Sequence, residues 1–260
     1  MGRVLLVMGQ HRGGTSAMAG SLYHLGGVIG ANGDFHRDAH NVKGYFENAD
    51  ALGANEEALR LAGASWDSEE VLPADMGSDP RYDMLVMRMG DFFARDMELA
   101  RDRFLVVKDP RISLLLPLYL KVFRGLGVEP SFLFCDRRNE EIARSLSARE
   151  GFDPAHAVLT AEAHRESVRR FEGDIDVAWV SAFDCLLGHR ESFFRWMRDR
   201  FDLPLEIGPE GMGRVADFLD AGLRHHRGAG PDGLWGTALI RDPVRATVPE
   251  WATIGDGHAH

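Results

Sequence analysis

Val4-Leu5-Leu6-Val7-Met8-Gly9-Gln10-His11-Arg12-Gly13-Gly14-Thr15-Ser16 is the stretch that decides the reading of this chain. Five apolar residues form a strand-like run, a glycine-rich loop with one arginine follows, and a hydroxyl pair then opens a segment of helical period. The pattern nearly spells Gly-x-x-x-x-Gly-Lys-Ser/Thr, the loop that cradles nucleotide phosphates. Thr15 stands where that loop carries lysine, and the arginine, Arg12, lies inside the loop instead. The frame for holding an anion is kept, while triphosphate chemistry loses its usual cation.

Three more runs share the character of the first: Phe104–Val107, Ser131–Cys135 and Asp176–Val180. All are nearly continuous in apolar residues, as central parallel strands covered on both faces should be. Helical periods separate them. Met18, Leu22 and Leu25 make one stripe, Leu52, Leu59 and Ala62 another, and a longer helix is expected from Arg81 to Ala100. Further helices are expected over Ser113–Phe123, Glu140–Ala148, Thr160–Phe171, Glu191–Arg200 and Arg214–Leu223. Strands alternating with helices predict an α/β fold, a three-layer parallel sheet with right-handed crossovers. One domain over residues 1–260 is expected, with a mostly helical insertion at 26–103 forming a substrate wall and an irregular Gly- and Pro-rich tail at 225–260.

A chain of 260 residues buries a sizeable core, and 45% apolar with 27% charged residues is ordinary for a soluble enzyme. The net charge of -10 argues against nucleic acid as a partner, since a duplex binder needs a broad basic face. No signal peptide and no run of about 18 apolar residues is seen, so neither export nor a membrane partner is expected. Cys135 and Cys185 sit in apolar surroundings and read as buried free thiols, which fits the cytoplasm. Only Lys43, Lys108 and Lys121 are lysines, so a lysine at the end of an apolar strand stands out.

In a doubly wound sheet, ligands bind at the carboxyl ends of the strands. The opening loop lies there: Gly9, Gly13 and Gly14 let backbone amides converge, Thr15 and Ser16 offer hydroxyls, and Arg12 can clamp phosphate oxygens. The plain alternative is a tight turn with Thr or Ser capping the helix. A second site candidate is Val107-Lys108-Asp109-Pro110-Arg111, where Lys108 either meets a ligand or pairs with Asp109. The third runs from Asp136-Arg137-Arg138-Asn139 to Ser145, eight residues beyond Arg137 and about two helical turns on. Arg137 and Ser145 can grip one phosphate from two sides, or the segment is a solvated helix start capped by Asn139.

Taken together these motifs resemble the PAPS-dependent sulfotransferase family. Gly9 through Ser16 is similar to its 5′-phosphosulfate loop, and Lys108–Arg111 and Arg137–Ser145 resemble its other two signatures in order. Gly44-Tyr45-Phe46-Glu47 and Gly63-Ala64-Ser65-Trp66 are similar to members as well, so the resemblance spans residues 4–187. It implies a P-loop-like strand–loop–helix that holds 3′-phosphoadenosine 5′-phosphosulfate as co-substrate. The implied cofactor-binding residues are Gly9, His11, Arg12, Gly13, Gly14, Thr15, Ser16, Arg137 and Ser145, the last two on the 3′-phosphate. Two departures are Gly13, where many relatives have Ser, and Phe183, where relatives often have Tyr. Arg224 and Arg227 are the candidates for the family's basic C-terminal loop.

The expected reaction is in-line sulfuryl transfer to a hydroxyl of a small molecule or carbohydrate, with positioning and charge supplying the catalysis. Arg12 and Lys108 are expected to meet charge on the departing phosphate, and no metal is required. Glu47 is the expected base, just before Asn48, a candidate helix cap, where a helix N-terminus favours negative charge. His11, His36 and His40 are rivals. Two other readings stay open: a P-loop small-molecule kinase, with Asp109 or Asp136 as metal-binding acid, and a non-catalytic nucleotide-binding module.

Overall fold

A computed structural model describes residues 2–38, 41, 43–219, 240–241 and 249–252. Each apolar run becomes a strand: β1 (Arg3–Gly9), β4 (Phe104–Lys108), β5 (Ser131–Asp136) and β6 (Val177–Ser181). They lie side by side in the order β4-β1-β5-β6, all parallel. The register aligns their carboxyl ends. Val7 faces Lys108, Gly9 faces Cys135, and Asp136 faces Ser181, so the loops after β1, β4, β5 and β6 open on one edge of the sheet.

Alternation along the strands sends successive side chains to opposite faces and creates two cores. On one face Leu6, Met8, Val107, Phe134 and Trp179 pack with α2 (Ala49–Ala62), α3 (Asp83–Leu99), α4 (Leu116–Gly125) and α6 (Pro154–Arg169). On the other, Leu5, Val7, Val106, Leu133 and Val180 pack with α1 (Thr15–His24), α7 (Ala182–Gly188), α8 (Arg190–Phe201) and α9 (Pro209–Phe218). Each fully buried Leu or Phe contributes about 1.5–3 kcal/mol. The result is the expected three-layer α/β architecture. α5 (Asn139–Glu150) follows β5 directly and pairs with α6 over a small third cluster around Ile142 and Leu146.

Several details differ from expectation. A fifth strand, β7 (Ile240–Arg241), pairs antiparallel with β6, so one edge of the sheet is mixed. A short antiparallel pair, β2 (Gly33–Asp34) with β3 (Glu47–Asn48), closes the base of the segment between them. The buried face of α2 is Ala51, Ala54, Asn55, Ala58 and Leu59, while Leu52 and Ala62 are half-buried. Pro110–Ser113 forms a 3-10 turn because Asp109 caps it and Pro110 starts it, which delays α4 to Leu116. The helix expected over Arg214–Leu223 starts earlier, at Pro209, where a fixed proline φ suits the first helical turn. His40, Arg224, Arg227 and most of the 225–260 tail lie outside the described residues. Among those described, no helix is long and apolar enough to cross a membrane.

Candidate functional site

The loop between β1 and α1 is shaped by close approach to β5. A Cβ on Gly9 (φ +154) would lie 2.4 Å from the Cys135 carbonyl oxygen, and one on Gly13 would lie 2.7 Å from it. A side chain at Gly13 would not fit between loop and strand without a shift of backbone. Arg12 adopts φ 68, a left-handed conformation that costs a non-glycine residue roughly 1–2 kcal/mol. The strain is held in place from the third motif: Arg137 Nη1 donates to the Arg12 carbonyl at 3.0 Å.

Gly14, not Thr15 or Ser16, occupies the cap position of α1, with φ 96 and no side-chain cap hydrogen bond. The first-turn amides of α1 thus lack intrahelical acceptors and point toward the carboxyl edge of the sheet. The plain reading of this loop as a hydroxyl-capped turn is replaced by an open helix N-terminus suited to an anion.

The third motif meets the first directly. Arg12 Nε donates to Ser145 Oγ at 2.9 Å, although 133 residues separate them. Arg137, 7% exposed, is aimed by Glu141, whose carboxylate accepts from its Nε at 2.8 Å. Asn139 is the first residue of α5 rather than its cap. Its amide instead donates to Glu162, and Arg138 holds the cap position without a side-chain hydrogen bond to the first-turn amides. Phe183 packs against Gly14 and its ring lies 5.1 Å from the Arg137 guanidinium, which puts an aromatic face in the site.

Lys108 does not pair with Asp109. Its ammonium donates to Glu47 Oε1 at 2.7 Å and to the Tyr45 carbonyl at 3.0 Å, with only 2% of its side chain exposed. Two residues nominated separately for catalysis thus form one buried ion pair. Asn48 caps α2 as expected, accepting from the amides of Asp50 and Ala51, which fixes Glu47 beside it. Asp109 turns away: it accepts from Asn55 Nδ2, the Arg111 amide and the Arg111 guanidinium. Asp136 accepts from Gln10, Arg165 and the Arg137 amide. Both carboxylates are buried and already accept several protein donors, an arrangement that serves the loops rather than a metal ion.

These parts line one cavity of about 560 Å³, in the range of small-molecule sites. Arg12, Lys43, Lys108, Arg111, Arg137 and Arg149 face it, against Glu47 and Glu150. Burial, then the nearby Arg149 and Arg137 cations, lowers the Arg12 pKa from its ordinary value. Gly14, Thr15, Ser16, Ser145 and His11 also line the cavity; Gly9 and Gly13 shape the loop from beneath. His11 is packed on Trp66, with ring centroids 4.4 Å apart, and its Nε2 is buried without a partner. Burial, followed by His164 and the Arg111, Lys108 and Arg149 charges, pushes its pKa well below the usual value. A ring that holds protons so weakly is a poor general base. His36 is exposed and outside the cavity lining.

Several lining residues were not nominated as site residues from sequence, among them Lys43, Tyr45, Trp66, Arg149 and Glu150. Arg149 Nη2 donates to Tyr45 Oη at 3.4 Å, closing the rim from α5 to the segment before β3. The spacing of four from Ser145 to Arg149, one helical turn on the same face, was the available signal.

No family model matches the chain, and no curated protein matches it in sequence. Among solved structures it is similar to the sulfotransferase domain from the Synechococcus PCC 7002 olefin synthase, with a TM-score of 0.53 at 14% identity. The match covers 87% of this chain and 83% of that one. The chain has a sulfotransferase-like P-loop fold.

Proposed function

We propose that this chain is a sulfotransferase that takes a sulfuryl group from 3′-phosphoadenosine 5′-phosphosulfate and delivers it to a hydroxyl of a small molecule or carbohydrate. One observation carries the reading: the strained, glycine-flanked Arg12 and the Arg137–Ser145 pair, far apart in sequence, are bonded to one another in one basic cavity. A donor with phosphates at both ends of one ribose needs two anion clamps at such close range.

The residues present fit that donor. Amides of the β1–α1 loop, the open N-terminus of α1 and Arg12 suit the 5′ end. Arg137 and Ser145 suit the 3′-phosphate, and Phe183 offers an apolar face beside Arg137. The donor supplies an activated sulfuryl group. Lys108 meets charge growing on the departing phosphate, where a fixed cation in a partly dry site stabilises it most. Glu47, 2.7 Å from Lys108, takes the proton of the acceptor hydroxyl. The pairing makes the two roles complementary: as Lys108 turns to the donor, the Glu47 carboxylate is released toward the acceptor.

The test uses labelled donor and a panel of phenols, aliphatic alcohols and sugars. Glu47→Gln should lower turnover on any accepted substrate by about 100-fold or more, while adenosine 3′,5′-bisphosphate still binds. Retained turnover removes Glu47 as the base. Absence of transfer to every acceptor, with the bisphosphate bound, favours a non-catalytic nucleotide-binding module.

A further inference from the structure

α6 contributes no residue to the cavity lining, yet it carries a heavily bonded buried cation behind the site, Arg165. Arg165 is 1% exposed. Its Nε donates to Asp136 Oδ1 at 2.9 Å, its Nη2 to the Arg137 carbonyl at 2.5 Å, and its Nη1 to Asn139 Oδ1 and, at 2.7 Å, to Glu162 Oε1. One guanidinium fork therefore grips three of the four residues of the β5–α5 turn.

The same Asp136 oxygen accepts from Gln10 of the β1–α1 loop and from the Arg137 amide, the latter at 2.8 Å. Arg165 thus stands behind both anion clamps at once: through Asp136 and Gln10 it reaches the loop at Arg12, and through the Arg137 backbone it reaches the Arg137 side chain. Arg137 in turn holds the strained Arg12 carbonyl. A planar, always-charged fork with five donors makes this set of bonds; an ammonium cannot. Burying such a group is costly unless it is paired, so an arginine placed here with three of its four bonded partners in one turn marks that turn as a geometry worth fixing.

We infer that Arg165 is a positioning residue that sets the distance between the two anion clamps and thereby the selectivity for a nucleotide bearing a 3′-phosphate. The inference rests on the donor proposed above. It concerns a ratio of affinities rather than affinity alone, which separates it from a purely structural role.

The experiment measures binding of adenosine 3′,5′-bisphosphate and of adenosine 5′-monophosphate by calorimetry to the wild-type chain, Arg165→Met and Arg165→Lys. Val168→Ala, a core deletion on the same helix, serves as the stability control. The expected result is a fall of about tenfold or more in the bisphosphate-to-monophosphate ratio for both Arg165 variants, since a displacement near 1 Å is enough for such losses. Val168→Ala should lower the melting temperature and leave the ratio within threefold. An unchanged ratio in a folded Arg165 variant, or an equal fall in Val168→Ala, overturns the assignment. Should neither Arg165 variant fold, hydrogen exchange on the wild type decides: the bisphosphate, and not the monophosphate, should slow exchange over 160–169, and equal protection overturns it. A wild type that binds no bisphosphate defeats the donor reading itself, a result distinct from an unchanged ratio.

Discussion

The two ends of the sheet carry cavities of opposite character, and the smaller one is the site. At the amino end, a cavity of about 1210 Å³ opens beside Ser131, Phe132 and Asp176, lined by Glu129, Asp174, Asp176, Asp199 and Asp202 against Lys121, Arg124 and Arg200. At the carboxyl end, about 560 Å³ is faced by six cations and two carboxylates. Volume would choose the first; chemistry chooses the second. The difference follows from topology, because every strand-to-helix loop of the parallel sheet opens at the carboxyl end, bringing helix N-termini and glycine turns with it. Although the chain as a whole is acidic at -10, six of its 30 Lys and Arg residues face this one cavity.

Removing one clamp should break this contrast most. Arg137→Ala leaves Glu141, fully buried, without its guanidinium, and breaking such a pair costs about 3–5 kcal/mol of stability. It should also reduce bisphosphate affinity by about 100-fold, read by calorimetry alongside urea unfolding. Affinity unchanged in a folded variant would place the anion elsewhere.

The second effect is on pH. His164 is buried at the carboxyl end, its Nδ1 2.6 Å from Ser113 Oγ and its Nε2 3.3 Å from the Trp66 carbonyl. Burial lowers its pKa from 6.5 to about 4. Above pH 6.5 the ring is neutral in both folded and unfolded chains; between 6.5 and 4 only the unfolded chain takes up the proton. Stability should therefore fall as pH drops through that window, by about 3 kcal/mol from this group. Denaturation curves at pH 7, 6 and 5 check it, and His164→Gln should flatten the dependence.

A smaller effect tests the loop. Gly13→Ser adds a hydroxyl to the loop, yet it forces a Cβ against the Cys135 carbonyl. We expect a loss of about 1–3 kcal/mol and weaker bisphosphate binding, not a gain. At the far end, Lys121→Ala removes an exposed pair with Asp83 and should cost no more than about 1 kcal/mol, with bisphosphate affinity unmoved. Loss of affinity there would erase the distinction between the two cavities.

Much of the carboxyl end was legible in the sequence. Central parallel strands are apolar on both faces, so Val4–Met8 and its three counterparts stood out, and the residues just after each strand could be assigned to one edge. What escaped has physical causes. Apart from Leu59, which the sequence did place in its stripe, the buried face of α2 is alanines and Asn55, which carry little hydropathy contrast against Leu52 and Ala62. β7 is two residues long and takes its place through pairing, not pattern. Glu47 and Lys108 were nominated apart, since no spacing along the chain reveals a contact across 61 residues. Arg165 gave no signal at all: in a helix rich in Arg and Glu a charged residue reads as surface, and only the fold turns it inward.

The central claim is that the carboxyl-end cavity holds a nucleotide by two phosphates on one ribose. It is tested most directly by calorimetric titration of the wild-type chain with adenosine 3′,5′-bisphosphate and, separately, with ATP and magnesium. The account predicts that the bisphosphate binds tighter by about tenfold or more, the worth of one or two charge-assisted hydrogen bonds to the 3′-phosphate. Tight binding of ATP with magnesium, and none of the bisphosphate, would contradict it.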